Sequence, residues 1–102
     1  MRAVRYLDEA RDEFLHEIRY FAQVSAQLAE RFDLAVQAAE AQAAQFPDMG
    51  MPYSCGTRRV LLPRRFRFSL IYLTYPDCVL VVAVASTKRK PGYWRERLGA
   101  RG

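Results

Sequence analysis

The chemistry-bearing residues of this chain gather towards its C-terminal end. The run Lys88-Arg89-Lys90-Pro91-Gly92-Tyr93-Trp94-Arg95-Glu96-Arg97 puts five cations and two aromatic rings into ten residues. Arg58, Arg59, Arg64, Arg65 and Arg67 precede it. A guanidinium is planar and permanently charged, and it meets phosphate or carboxylate with two parallel hydrogen bonds. Together with Lys88, Arg89, Lys90, Tyr93, Trp94, Arg95 and Arg97, these arginines are the candidate contacts for an anionic partner. Other chemistry is thin. His16 is the only histidine and lacks catalytic partners, so it reads as a surface or boundary residue. Cys55 and Cys78 have no histidine or second cysteine at metal-ligand spacing and read as free thiols. No metal and no cofactor is expected.

The charge is split between the two halves. Residues 1–57 carry five Arg against nine Asp or Glu, a balance of −4, and residues 58–102 carry eleven Lys or Arg against two acids, a balance of +9. Solubility alone does not call for arginine over lysine, nor for interleaved aromatics. The basic half therefore anticipates phosphate, an acidic protein, or both.

Several elements must position these groups. At 102 residues the chain is long enough for one domain with one modest core, spanning 1–102. Ala3-Val4-Arg5-Tyr6-Leu7 alternates like a short strand, and Asp8 is the expected N-cap of a first helix. Leu7, Ala10, Phe14, Ile18 and Phe21 recur at three- and four-residue steps. Ser25 is a second capping residue, before the stripe Leu28, Phe32, Ala35/Val36, Ala39, Ala43, Phe46 that Pro47 ends. A break this short makes the two helices an antiparallel hairpin.

From Asp48 to Thr57 the composition is that of a loop. Three strands then follow: Arg58–Leu62, Phe66–Leu73 and Cys78–Ala85, the last so apolar that it belongs inside a sheet. Short connections make them an antiparallel meander, with the first strand added beside them and the helices on one face. The expected class is α+β in two layers, in the order β-α-α-β-β-β with a short basic tail. Strand alternation from Arg65 onwards sends Arg65, Arg67 and Ser69 to one face and Phe66, Phe68 and Leu70 to the other. No apolar run is long enough for a membrane span and no signal-peptide core is visible. A soluble, cytoplasmic protein is the expectation.

This order resembles the RelE/ParE superfamily, the toxins of bacterial type II toxin–antitoxin modules. Three pieces carry the resemblance: Tyr6-Leu7-Asp8-Glu9-Ala10, then Arg65-Phe66-Arg67-Phe68-Ser69-Leu70-Ile71-Tyr72, then Val82-Ala83-Val84-Ala85-Ser86 followed by Arg89-Lys90-Pro91-Gly92-Tyr93-Trp94. Ser86 stands where the family commonly has histidine. The resemblance implies a plasmid-stabilisation-like, growth-inhibiting toxin, held in a hetero-oligomer by a cognate acidic antitoxin. Tyr20 and Phe21 are candidates for an apolar companion site.

Two modes of action follow from the resemblance. RelE-like members cut mRNA on the ribosome with basic residues and a tail tyrosine, which here implies Arg67, Arg89 and Tyr93 as the catalytic set. ParE-like members bind DNA gyrase and do no such chemistry. Ser69 falls where the RNA-cutting members have a mid-strand arginine, and Val60, Leu62 and Thr87 fall near the places of other basic residues. The incomplete set favours the gyrase-binding mode, with the mRNA endonuclease as the alternative.

Overall fold

The computed structural model describes residues 1–99. Strand β1 (Ala3–Tyr6) leads into α1 (Asp8–Val24) and α2 (Ala26–Gln45). Ser25 alone separates the two helices: its backbone is extended, at φ −165°, and its hydroxyl accepts the Leu28 N–H at 3.0 Å. One residue thus ends one helix and caps the next. Asp8 does not cap α1. Leu7 takes that place without a side-chain cap, because its N–H is engaged by the Val81 carbonyl of the sheet at 3.0 Å. Asp8 and Glu9 still set negative charge at the positive end of the helix.

The remaining elements are β2 (Met51–Pro52), a 3-10 turn (Ser54–Gly56), β3 (Arg58–Leu61), β4 (Phe68–Thr74), β5 (Cys78–Ser86) and α3 (Arg95–Gly99). The sheet order is β1-β5-β4-β3-β2, with β1 parallel to β5 and every other pair antiparallel. Having neighbours on both sides, β5 is buried along nearly all its length, which explains its unbroken apolar run. Among the described residues no helix is long and apolar enough to cross a membrane.

The helix pair packs on one face of the sheet through an aromatic cluster. Phe14, Phe21 and Phe32 from the helices meet Phe66 and Phe68, with ring centroids 4.9–6.5 Å apart. Phe32 is wholly enclosed. Burial of each such ring contributes on the order of 1.5–3 kcal/mol.

Three expectations need correction. The strand expected to begin at Phe66 is β4, and it starts at Phe68. Pro63–Arg67 is instead a tight turn, closed by Phe66 N–H to Pro63 O (2.9 Å) and Arg67 N–H to Arg64 O (3.1 Å), with Arg67 at φ 56°. Strand alternation therefore does not place Arg65 and Arg67, although Phe66 still reaches the core. Phe46 lies beyond the last turn of α2 and is 52% exposed, so the second stripe ends at Ala43. The segment 48–57 is also not all loop, since Met51 and Pro52 pair with Arg59 and Arg58 as a two-residue edge strand.

Candidate functional site

The site begins with an unfinished ladder. β1 pairs with β5 only as far as Tyr6 against Val81, so the β1-side edge of β5 beyond that point needs other partners. Glu13 of α1 and Arg97 of α3 supply them. The Val84 N–H donates to Glu13 Oε1 at 3.1 Å, and the Arg97 guanidinium donates to the Val82 carbonyl at 3.0 Å. Arg97 also forks onto Glu13, with Nη1–Oε1 at 2.9 Å and Nη2–Oε2 at 3.0 Å. The two side chains are only 14% and 13% exposed. Burial works to lower the Arg97 pKa, but the hydrogen bond and charge of Glu13 raise it on balance.

Tyr93 completes this cluster. Its hydroxyl donates to Glu13 Oε2, and the Arg89 guanidinium lies 3.9 Å from its ring centroid. Burial first, and then the Glu13 hydrogen bond, push its ionisation well above the ordinary tyrosine value. A phenol that holds its proton this firmly, and directs it at a carboxylate, is poorly placed to accept one from a substrate. Glu13 is one residue that sequence reasoning missed. It is one of nine acids in the first half of the chain, and nothing local sets it apart.

The sheet face away from the helices carries the second part of the site. Register places Arg59, Ile71 and Ala83 in one row and Leu61, Ser69 and Ala85 in the next. The tail folds back over this face: Gly92, at φ 77°, reverses the chain, and a Cβ there would lie 2.6 Å from Arg95 Nε. Trp94 is thereby driven into the core at 1% exposure, beside Tyr53, with ring centroids 5.9 Å apart. Arg59 stacks on the outer face of Tyr53 at 4.4 Å. Between β3, β4, the end of β5 and the tail lies an open cleft of about 200 Å³. Arg59, Arg89, Lys90, Ser69, Ser86 and Thr87 are among its thirteen lining residues, and none of the thirteen is acidic.

The predicted contact residues do not form one patch. Arg59, Arg89, Lys90 and Tyr93 line the cleft. Arg64, Arg65 and Arg67 border a groove of about 500 Å³ that also includes Thr87. Arg65, Arg67 and Lys88 rim a third groove of about 630 Å³, whose floor holds Tyr20, Phe21, Phe66 and Phe68. Arg67 therefore does not join Arg89 and Tyr93 at the cleft. Arg58 is committed to the Gly50 carbonyl at 2.8 Å, and Arg97 to Glu13. Trp94 is core rather than contact surface, and Arg95 is exposed beside Gly92. His16 is exposed, and both cysteines are free, Cys55 exposed and Cys78 buried. Among the described residues, no three His, Cys, Asp or Glu side chains are grouped to hold a metal ion.

A family profile described as "ParE toxin of type II toxin-antitoxin system, parDE" matches residues 4–91. The match stops short of Tyr93 and the Glu13 partner Arg97. A solved structure described as a chromosomal ParDE TA system from P. aeruginosa superposes with a TM-score of 0.71 at 13% identity, covering 84% of this chain and 96% of that one. At that identity the likeness is one of fold. No curated protein sequence matches the chain.

Proposed function

The chain belongs to the ParE toxin family of type II toxin–antitoxin systems, and from that premise we propose that it inhibits growth by binding DNA gyrase and is neutralised by an acidic antitoxin segment. The observation that carries this reading over RNA cleavage is the Tyr93 hydroxyl, which donates its proton to Glu13 and is held protonated there. Transesterification of RNA needs a group that takes a proton from the ribose 2′-hydroxyl, and Tyr93 is occupied as a donor. Ser69 at mid-strand and Arg67 outside the cleft leave the remaining RNA-cutting set incomplete.

The antitoxin has a matching surface. Tyr20 is 56% exposed, over an apolar floor of Phe21, Phe66 and Phe68 and a rim of Arg65, Arg67 and Lys88. An amphipathic segment with carboxylates beside its apolar anchors complements that arrangement and would order on binding. Part of the charge split is already satisfied inside the chain by the close Glu13–Arg97 pair, and the turn arginines are among the cations that remain for a partner.

The test is induction of Tyr93→Phe in cells. A gyrase-directed toxin keeps its toxicity, because the aromatic ring that carries Arg89 remains. Loss of toxicity in a variant that still folds, together with loss of mRNA cleavage, would establish the endonuclease reading instead.

A further inference from the structure

The chain carries on its own surface a segment of the kind its aromatic groove accepts. Glu9, Asp12, His16 and Tyr20 recur along α1 at steps of three and four, with Glu17 beside them. One face of the helix therefore presents carboxylates and then a ring. Tyr20 stands against the edge of Phe21, with centroids 5.5 Å apart, and is 56% exposed. This end of α1 forms one wall of the groove of about 630 Å³, over the floor of Phe21, Phe66 and Phe68. Arg65, Arg67 and Lys88 form the other wall. Among the described residues every ion pair in the chain runs to Glu13, so Glu17 and the cations across the groove are not paired with one another.

An apolar groove with one acidic and one basic wall is complementary to itself. After a half-turn about an axis along the groove, α1 of a second copy brings its carboxylates to the cationic wall and its Tyr20 to the phenylalanine floor. The same rotation seats the first copy's α1 in the second copy's groove, so every contact is made twice. We propose that the free chain forms a twofold dimer through this face, α1 of each copy lying in the groove of the other. Glu17 then faces Arg65, Arg67 and Lys88 of the second copy, residues with which it already shares a level of the groove. Glu9 and Asp12 lie further along α1, where the surface continues past Ser86 to Arg89.

The net charge of +5 on each copy opposes association. The molecule is 22 Å across at its thinnest, so the copy centres stand more than two screening lengths apart, a length of about 8 Å at physiological salt. The wall-to-wall pairs are in contact and partly desolvated, and salt screens them far less. Local complementarity therefore outweighs the overall repulsion. One helix face in one groove is a small interface, with a dissociation constant on the order of 10 μM. An anionic membrane would meet the carboxylates of α1 with like charge, whereas a second copy meets them with arginine. The groove is the one assigned above to an antitoxin. The dimer does not rest on that assignment; where both hold, the antitoxin displaces the second copy.

The experiment is sedimentation equilibrium of the full chain, without antitoxin, from about 1 to about 300 μM at about 0.15 M salt. A monomer–dimer equilibrium is expected. Glu17→Arg and Arg65→Glu should each raise the dissociation constant at least about tenfold, because the twofold axis repeats each change. Mixed one to one, the two variants should dimerise again, since the reversed charge on one copy then faces the reversed charge on the other. That recovery needs both variants folded, so it separates a lost contact from misfolding. Leu34→Glu, at an exposed α2 position that does not line the groove, should stay within about twofold of wild type. Monomer throughout the range, no recovery on mixing, or an equal loss in Leu34→Glu would overturn the proposal. Growth beyond a dimer would overturn its twofold arrangement.

Discussion

Replacing Glu13 with alanine removes the acceptor on which three elements converge. The substitution leaves the Arg97 guanidinium, 14% exposed, without a counter-charge, and it unpairs the Val84 N–H and the Tyr93 hydroxyl. Breaking a buried ion pair by deleting one partner costs about 3–5 kcal/mol, and the slight solvent access of this pair places it near the lower end. In a domain whose total stability is on the order of 5–15 kcal/mol, a loss of about 3 kcal/mol is severe. For a chain of this length it corresponds to a fall in Tm of roughly 12–24 °C.

Urea unfolding of wild type, Glu13→Ala, Arg97→Met and the double variant gives the coupling directly. The double variant should recover part of the loss, because no buried charge is then stranded. A loss below about 1 kcal/mol in Glu13→Ala, or strictly additive effects across the cycle, would refute the idea that this carboxylate holds the tail to the sheet edge.

Alkaline pH acts on the same contacts. The Tyr6 and Tyr93 hydroxyls, donating to Glu40 and Glu13, are held above their ordinary ionisation value chiefly by burial. Their contribution is full below about pH 10 and is lost as pH rises beyond it. Chemical denaturation across that range should show stability falling, more shallowly in Tyr6→Phe/Tyr93→Phe. Ser25→Ala removes the cap of α2 and should cost about 1 kcal/mol, seen as a Tm lower by roughly 4–8 °C. Gly50→Ala drives a Cβ into the Tyr72 hydroxyl, which donates to the Pro47 carbonyl at 2.7 Å. It should destabilise by about 1–3 kcal/mol, with partial recovery in Gly50→Ala/Tyr72→Phe denaturation curves. Tyr20→Ala/Arg65→Glu should weaken antitoxin binding by at least about tenfold in titration calorimetry, since an apolar anchor and a charge contact are lost together. Its Tm should stay near wild type, because both residues are exposed.

What the sequence disclosed follows the reach of the forces involved. Helical stripes, the cap at Ser25 and the apolar run of β5 are local patterns, and they predict the helix hairpin and the buried strand. The turn at Pro63–Arg67 escaped, because Phe66-Arg67-Phe68 alternates like a strand. The structure bends it with Arg67 in a left-handed conformation that arginine seldom adopts, which alternation cannot register.

The site was legible as composition, not as geometry. Arg59, Arg89, Lys90 and Tyr93 were singled out by type, and they meet at the cleft. Arg64, Arg65 and Arg67 look equivalent in sequence yet lie in separate grooves. Glu13 and Tyr53 escaped because their partners are 84 and 41 residues away, at Arg97 and Trp94. A lone acid on a helix carries no sign of the strand edge it completes. Tyr53, an aromatic ring within a Gly/Pro-rich loop, was the one available hint that the loop is anchored.

The most direct measurement is a DNA gyrase supercoiling assay with the purified chain, in which linear DNA and supercoiled product are quantified together. Gyrase binding predicts that supercoiling is blocked and cleaved DNA accumulates, for wild type and Tyr93→Phe alike. Undisturbed supercoiling by protein that cuts mRNA on translating ribosomes, and stops doing so when Tyr93 is changed to phenylalanine, would contradict it.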